Sequence, residues 1–235
     1  MLQWDLIYIA TSLGFLYLCD QLAMRHCKRR WFMLHALGNG VVVVFSWHGV
    51  MASFGDPLHS MDSRVFQDSS ALVGPTSKLP MSMVTALHVY HIVRFSVSHA
   101  DQFHHCLFVP IIGLLGHVMA WGALRQFLAF FICGLPGCID YVQLSCSTSD
   151  DARARQRRKF TTMMLNLCLR APFLCFEACL HYVAFIHGTT TVHPLANATI
   201  AGLVMVNAMY YTYTSVRSYA LASVTGVVSV SSAGA

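Results

Sequence analysis

The sequence predicts an all-α, polytopic transmembrane bundle of six or seven helices, and three observations carry that prediction. Hydrophobic residues make up 56% of the 235 positions and charged ones 11%, where a soluble domain carries about 25% charged residues. Apolar runs recur that are long enough, at about 20 residues, for a ~30 Å hydrocarbon core. The basic residues gather in two clusters, within 25–30 and 153–159. Four apolar runs separate the clusters, so both emerge on one face, which the positive-inside rule makes cytoplasmic.

The first run, 3–24, opens on Met1-Leu-Gln-Trp-Asp5. It lacks the basic stretch of a cleavable signal and is expected to stay as a helix. Arg25, Lys28, Arg29 and Arg30 then precede the second run, 31–53. Residues 54–79, with Gly55-Asp56-Pro57 and Gly74-Pro75, form the long loop. The third run, 80–98, carries His88 and His91 one turn apart, followed by Arg94. The fourth, 104–119, opens on His104-His105 and is loosened by Pro110, Gly113 and Gly116. A break there would place His104, His105 or His117 in a water-accessible cavity.

The fifth run, 121–144, sets Gln126, Cys133 and Asp140 on one face at heptad spacing, with a kink expected at Leu135-Pro136-Gly137. Residues 145–159 read as a polar, basic, solvated turn. The sixth run, 161–187, carries Asn166, Arg170, Glu177 and His181. At 100° per residue these form a single polar stripe, within about 60° of one another. The seventh run is 195–219. Beyond it, 221–235 is rich in Ser, Val, Ala and Gly with no core-forming pattern, and reads as a flexible tail. Three parts follow: 1–27 as a first helix, 28–220 as the main bundle, and 221–235 as the tail. Seven spans place the N-terminus outside, the C-terminus inside and the Asn197-Ala-Thr199 sequon on the non-cytoplasmic side.

Ionisable groups inside such runs cost roughly 2.5–3.5 kcal/mol each on insertion scales, so they mark partners or function. The stripe of run six should face the bundle interior and meet polar groups from runs three to five. Asp140 is the expected partner of Arg170 or of a histidine. His91, Arg94, Asn166, Arg170, Glu177 and His181 are therefore candidates for holding a lipid headgroup. The nine cysteines contain no Cys-x-x-Cys pair, which indicates neither a disulfide framework nor a zinc site, and no metal is expected. The net charge of +5 lies in two clusters, which suits anionic lipid headgroups rather than nucleic acid.

Several pieces share an order and spacing: Lys28-Arg-Arg-Trp31 with His35-Ala36-Leu37, Gly55-Asp56-Pro57-Leu58, the His104-His105 pair, and Leu135-Pro136. They continue with Asn166 and Arg170, and end with 207–213. Over residues 28–219 the chain resembles the TLC domain family, which includes ceramide synthases and translocon-associated membrane proteins. It looks closest to the short members that consist of little beyond that domain. The resemblance implies lipid handling in the endoplasmic reticulum, with mitochondrial or plastid membranes left open. It implies membrane lipids as partners, and possible protein partners within the membrane.

Four readings stay open at this point. The chain binds or senses lipids in a polar intramembrane pocket and influences membrane lipid composition. Or it transfers an acyl group from acyl-CoA, its substrate, to a long-chain amine. In that case the resemblance makes one of His104 and His105 the base or acyl-accepting nucleophile, and the other, with Asp140 or Asp101, orients it. A di-iron lipid hydroxylase is suggested by His88-x-x-His91 and His99 with His104-His105, but the final His-x-x-His-His box is missing. The fourth reading is a non-catalytic accessory subunit of a larger membrane complex.

Overall fold

The computed structural model describes residues 2–67, 71–96, 99–147 and 152–232, with the side chains of 2, 23, 99–101, 103, 104 and 225–232 left out. The fold is all-helical, with no strand among the described residues. Among the described residues seven helical rods carry it, besides short turns at Cys19–Ala23 and Pro57–His59: α1 (Leu2–Leu18), α2 (Arg30–Gly55), α3 (Leu79–Arg94), α4 (His99–Val118), α5 (Leu124–Cys146), α6 (Ala152–Ile186) and α7 (Pro194–Ser232). Three of them, α2, α5 and α6, are long and apolar enough to cross a membrane. Where composition suggested a flexible tail from 221, the described backbone stays helical to Ser232. Its Val, Ala and Ser residues each cost little in a helix already propagating from a packed rod.

Polarity is distributed inside out. Trp47, Met51, Leu114, Tyr182, Phe185 and Tyr213 point outward from the rods, while Asp5, Asp20, Lys78, Arg125, Glu177 and His181 are buried. Exposed apolar side chains in this number are compatible with membrane association. The interior is built on two apolar clusters. One gathers Phe127, Phe130 and Phe131 of α5 against Leu174 and Leu180 of α6 and Val204 of α7. The other joins Leu16 of α1, Leu34 and Val42 of α2, and Leu87 of α3. Phe131 stacks on Phe173 with ring centroids 4.2 Å apart, an offset pairing that adds to simple burial.

Proline shapes α5 and α6 in the same way. Each contains a five-residue wide π turn, Phe130–Gly134 and Asn166–Arg170. Pro136 and Pro172 each sit two residues beyond one of these turns. A proline ring clashes with the carbonyl one turn back and donates no hydrogen bond to it, and widening the turn moves that carbonyl aside. At the kink expected at Leu135-Pro136-Gly137 the helix continues with a change of register.

Between α2 and α3 the loop is pinned by local pairs. The Arg64 guanidinium donates to Asp62 through Nε (2.9 Å) and Nη2 (2.7 Å) and holds that carboxyl down at about 2. Where the loop meets the start of α5, Ala123 N donates to the Ser60 carbonyl at 2.8 Å. Gly122 makes this approach possible: its φ is +57°, and a Cβ there would lie 2.4 Å from the Ser60 oxygen. Gly122→Ala therefore carries backbone strain and a clash with immovable backbone, together about 3 kcal/mol. It should lower the melting temperature of the purified protein by several degrees, and an unchanged melt would refute the reading.

Candidate functional site

Toward the end of the bundle that carries the basic clusters, α2 to α7 enclose a cavity of about 380 Å³. Its position follows from the wide turns, since Cys133 comes from one and Asn166 and Arg170 from the other. One wall is imidazole-rich. His105 Nε2 of α4 lies 3.1 Å from His91 Nδ1 of α3. His88 donates from Nδ1 to the Val84 carbonyl at 2.7 Å. Trp31 of α2 packs on both His35 and His91, with centroids 3.7 and 4.0 Å away, and His35 stacks on Tyr141 at 4.3 Å.

The facing wall is the charged one. Arg170 Nη1 donates to Asn166 Oδ1 at 3.0 Å, and its guanidinium lies 4.9 Å from the centre of the Tyr211 ring. Asp140 accepts from the Thr162 hydroxyl at 2.5 Å. Two polar atoms in this wall are buried without a hydrogen-bond partner, Arg170 Nε and Asn207 Oδ1. Buried polar groups are normally satisfied, so these two face a position that a ligand or water would fill. Phe108, Ile112 and Ile132 complete the lining with apolar surface. The arrangement suits an amphiphile whose head offers acceptors to Arg170 and whose chain lies on the apolar side.

The candidates read from sequence divide. His91, His105, Asp140, Asn166 and Arg170 share the cavity. His104 lies within α4, but its side chain falls outside the described ones, as does that of Asp101. Asp140 pairs with Thr162 rather than with Arg170 or a histidine. The hydrogen bond of His105 runs to His91. Arg94 is not in the cavity wall: it faces Asp20, with Nη2 3.9 Å from Oδ2. Glu177 and His181 form a separate buried pair, Nε2 to Oε1 3.7 Å. His181 Nδ1 lies 2.6 Å from Asn197 Oδ1.

The polar stripe of α6 does face inward, as its periodicity required. Glu177 and His181, however, line a separate small pocket with Trp121, Leu124 and Arg125, not the cavity that holds Arg170. Gln126 also departs from its heptad partners. It accepts from Gly49 N at 2.8 Å and donates to the Gly74 carbonyl at 2.6 Å, because the wide turn rotates it away from Cys133 and Asp140.

Two buried networks had no place in the sequence reading as sites. Near the basic end, Asp20, in the wide π turn Cys19–Ala23 that follows α1, is fully buried. It accepts from Tyr90 Oη at 2.8 Å and pairs with Arg30 Nε at 2.9 Å. At the opposite end, Asp5 of α1 meets Lys78 Nζ at 2.7 Å and His117 Nδ1 at 2.8 Å, and His117 Nε2 lies 2.9 Å from Thr85 Oγ1. Opposite charges at matching ends of the first and third apolar runs are the signal that could have exposed the second network.

Fold and site together define an all-helical protein with three membrane-length helices and a polar internal cavity. The chain matches no family model, no curated protein and no solved structure. Among the described residues, no group of three or more His, Cys, Asp or Glu is arranged to hold a metal ion.

Proposed function

We propose that this chain is an integral membrane protein that binds an acyl lipid in the cavity between α2 and α7 and so influences membrane lipid composition. The reading rests on one observation: a 380 Å³ cavity that joins Arg170, Asp140 and a histidine wall to apolar surface. In the proposed orientation all seven rods span the membrane, with the basic end cytoplasmic. The alternation is supported by two ion pairs: Asp5 at the start of α1 meets Lys78 at the start of α3, and Asp20 beyond the end of α1 meets the exposed Arg94 at the end of α3. The TLC-domain resemblance and an endoplasmic reticulum location belong to this proposal.

A second reading is acyl transfer from acyl-CoA, with His105 as base or nucleophile. The observation that favours it is the 3.1 Å contact between His105 and His91 inside the same cavity.

Lipid extraction and mass spectrometry of the purified protein test the binding reading. The unaltered protein should retain a defined lipid species through detergent exchange. Ile132→Trp, which fills the cavity from its apolar side, should abolish retention. Arg170→Gln should weaken it about tenfold or more, since a hydrogen bond to a charged group contributes roughly 1.5–3 kcal/mol. Equal retention by the protein and Ile132→Trp would show that any lipid sits elsewhere and would end the proposal.

A further inference from the structure

Thr85 of α3 lines the cavity, and its hydroxyl is engaged in an unusual way. A helical threonine commonly bonds to the carbonyl one turn back. Thr11, Thr161, Thr199 and Thr214 do so here, to Ile7, Arg157, Leu195 and Tyr210. The hydroxyl of Thr85 instead meets His117 Nε2 of α4 at 2.9 Å, and His117 Nδ1 meets Asp5 Oδ1 of α1 at 2.8 Å. Three helices are needed to assemble this line, and its inner end opens on the cavity.

We propose that Thr85, His117 and Asp5 form a nucleophile, base and positioning residue that cleave an acyl ester held in the cavity, an activity that rests on the lipid-binding reading above. Both contacts fall in the range of about 2.6–3.2 Å that a nucleophile, its base and an orienting group require. The Asp5 carboxylate can only accept, so Nδ1 of His117 carries its proton. The neutral ring then leaves the Nε2 lone pair facing the Thr85 hydroxyl. Lys78 Nζ, 2.7 Å from the other Asp5 oxygen, already balances the carboxylate, so the imidazole need not be charged. Gly113 stands across from Thr85, where a Cβ would be in ordinary contact with Oγ1 at 3.9 Å. A carbonyl therefore reaches the hydroxyl from the cavity that Thr85 lines.

The chemistry balances with water as the second reactant. Thr85 Oγ1 attacks the ester carbonyl carbon while its proton passes to His117 Nε2. The carbon–oxygen bond to the alcohol breaks, and His117 returns the proton to the departing oxygen, leaving the acyl group on Thr85. Water then gives a proton to His117 and adds to the acyl carbon. The carboxylic acid leaves, and Thr85 Oγ1 recovers the proton. Backbone N–H groups of α3 and α4 are spent within their helices. The oxyanion therefore depends on side-chain donors of the facing wall, Asn207 and Arg170 among them.

Full-length protein incubated with 4-nitrophenyl octanoate supplies the test, read by nitrophenol release and by mass mapping of the acyl adduct. The unaltered protein should carry the octanoyl group on Thr85, and Thr85→Ser should still turn over. Thr85→Val and His117→Gln should lose at least about a hundredfold in rate, and Asp5→Asn should lower kcat with KM held. Thermal melting accompanies each variant. Absence of an adduct on Thr85, or release by Thr85→Val at the unaltered rate, overturns the relay. Lipid retention measured on the same unaltered sample keeps the two readings apart: lipid held without an adduct removes the relay alone.

Discussion

Replacing Asp5 with alanine should destabilise the bundle by about 3–5 kcal/mol, the loss seen when one partner of a buried ion pair is removed. Asp5 is 1% exposed and Lys78 3% exposed. Truncation removes the carboxylate that faces the buried Lys78 ammonium, and the His117 ring loses the group that fixes its proton. The cost comes from burying the ammonium without this carboxylate rather than from the contact itself. Replacing Asp5, Lys78 and His117 together by Leu, Met and Leu should therefore recover most of the loss, because apolar residues of similar volume often substitute for buried ions without penalty. Equilibrium unfolding of the three proteins in detergent decides this. A loss under 1 kcal/mol for the single variant would mean that water reaches the pair.

The second large effect belongs to Asp20→Ala, for which about 3 kcal/mol is expected. Asp20 joins α1 to Tyr90 of α3 and to Arg30 at the start of α2. The arginine is partly exposed and can turn to solvent, whereas the Tyr90 hydroxyl is left buried without an acceptor, at a cost of about 1–3 kcal/mol. Tyr90→Phe alone should cost about 1 kcal/mol. The double variant should fall short of the sum of the singles, since both disrupt one contact. Strict additivity would show that Asp20 acts through the arginines instead.

Helical class and inward polarity were readable from the chain because both depend on local period. Apolar run length marked the rods, and the 100° spacing of Asn166, Arg170, Glu177 and His181 identified the buried face of α6. Depth was not readable. Periodicity says which way a residue points and not which neighbour it meets, so Arg94, Glu177 and His181 were grouped with a cavity they do not line. Wide turns added a second source of error. One extra residue before Pro136 breaks the heptad line from Gln126 to Asp140, and the proline hints at a kink without stating the register change. The Asp5–Lys78–His117–Thr85 line was hidden for another reason. Its contacts join residues 73, 112 and 32 positions apart, and no short motif encodes them.

The pairing of Asp5 with Lys78 also constrains the order in which the chain can settle during synthesis. A carboxylate one turn into the first rod finds its counter-charge only after 73 further residues have been made. In the proposed membrane orientation, the nascent first segment until then carries an acidic group that hydrocarbon disfavours, and it waits at the lipid boundary for its partner. Its final seat is taken with the third helix, and the amino-terminal end of this protein is completed late.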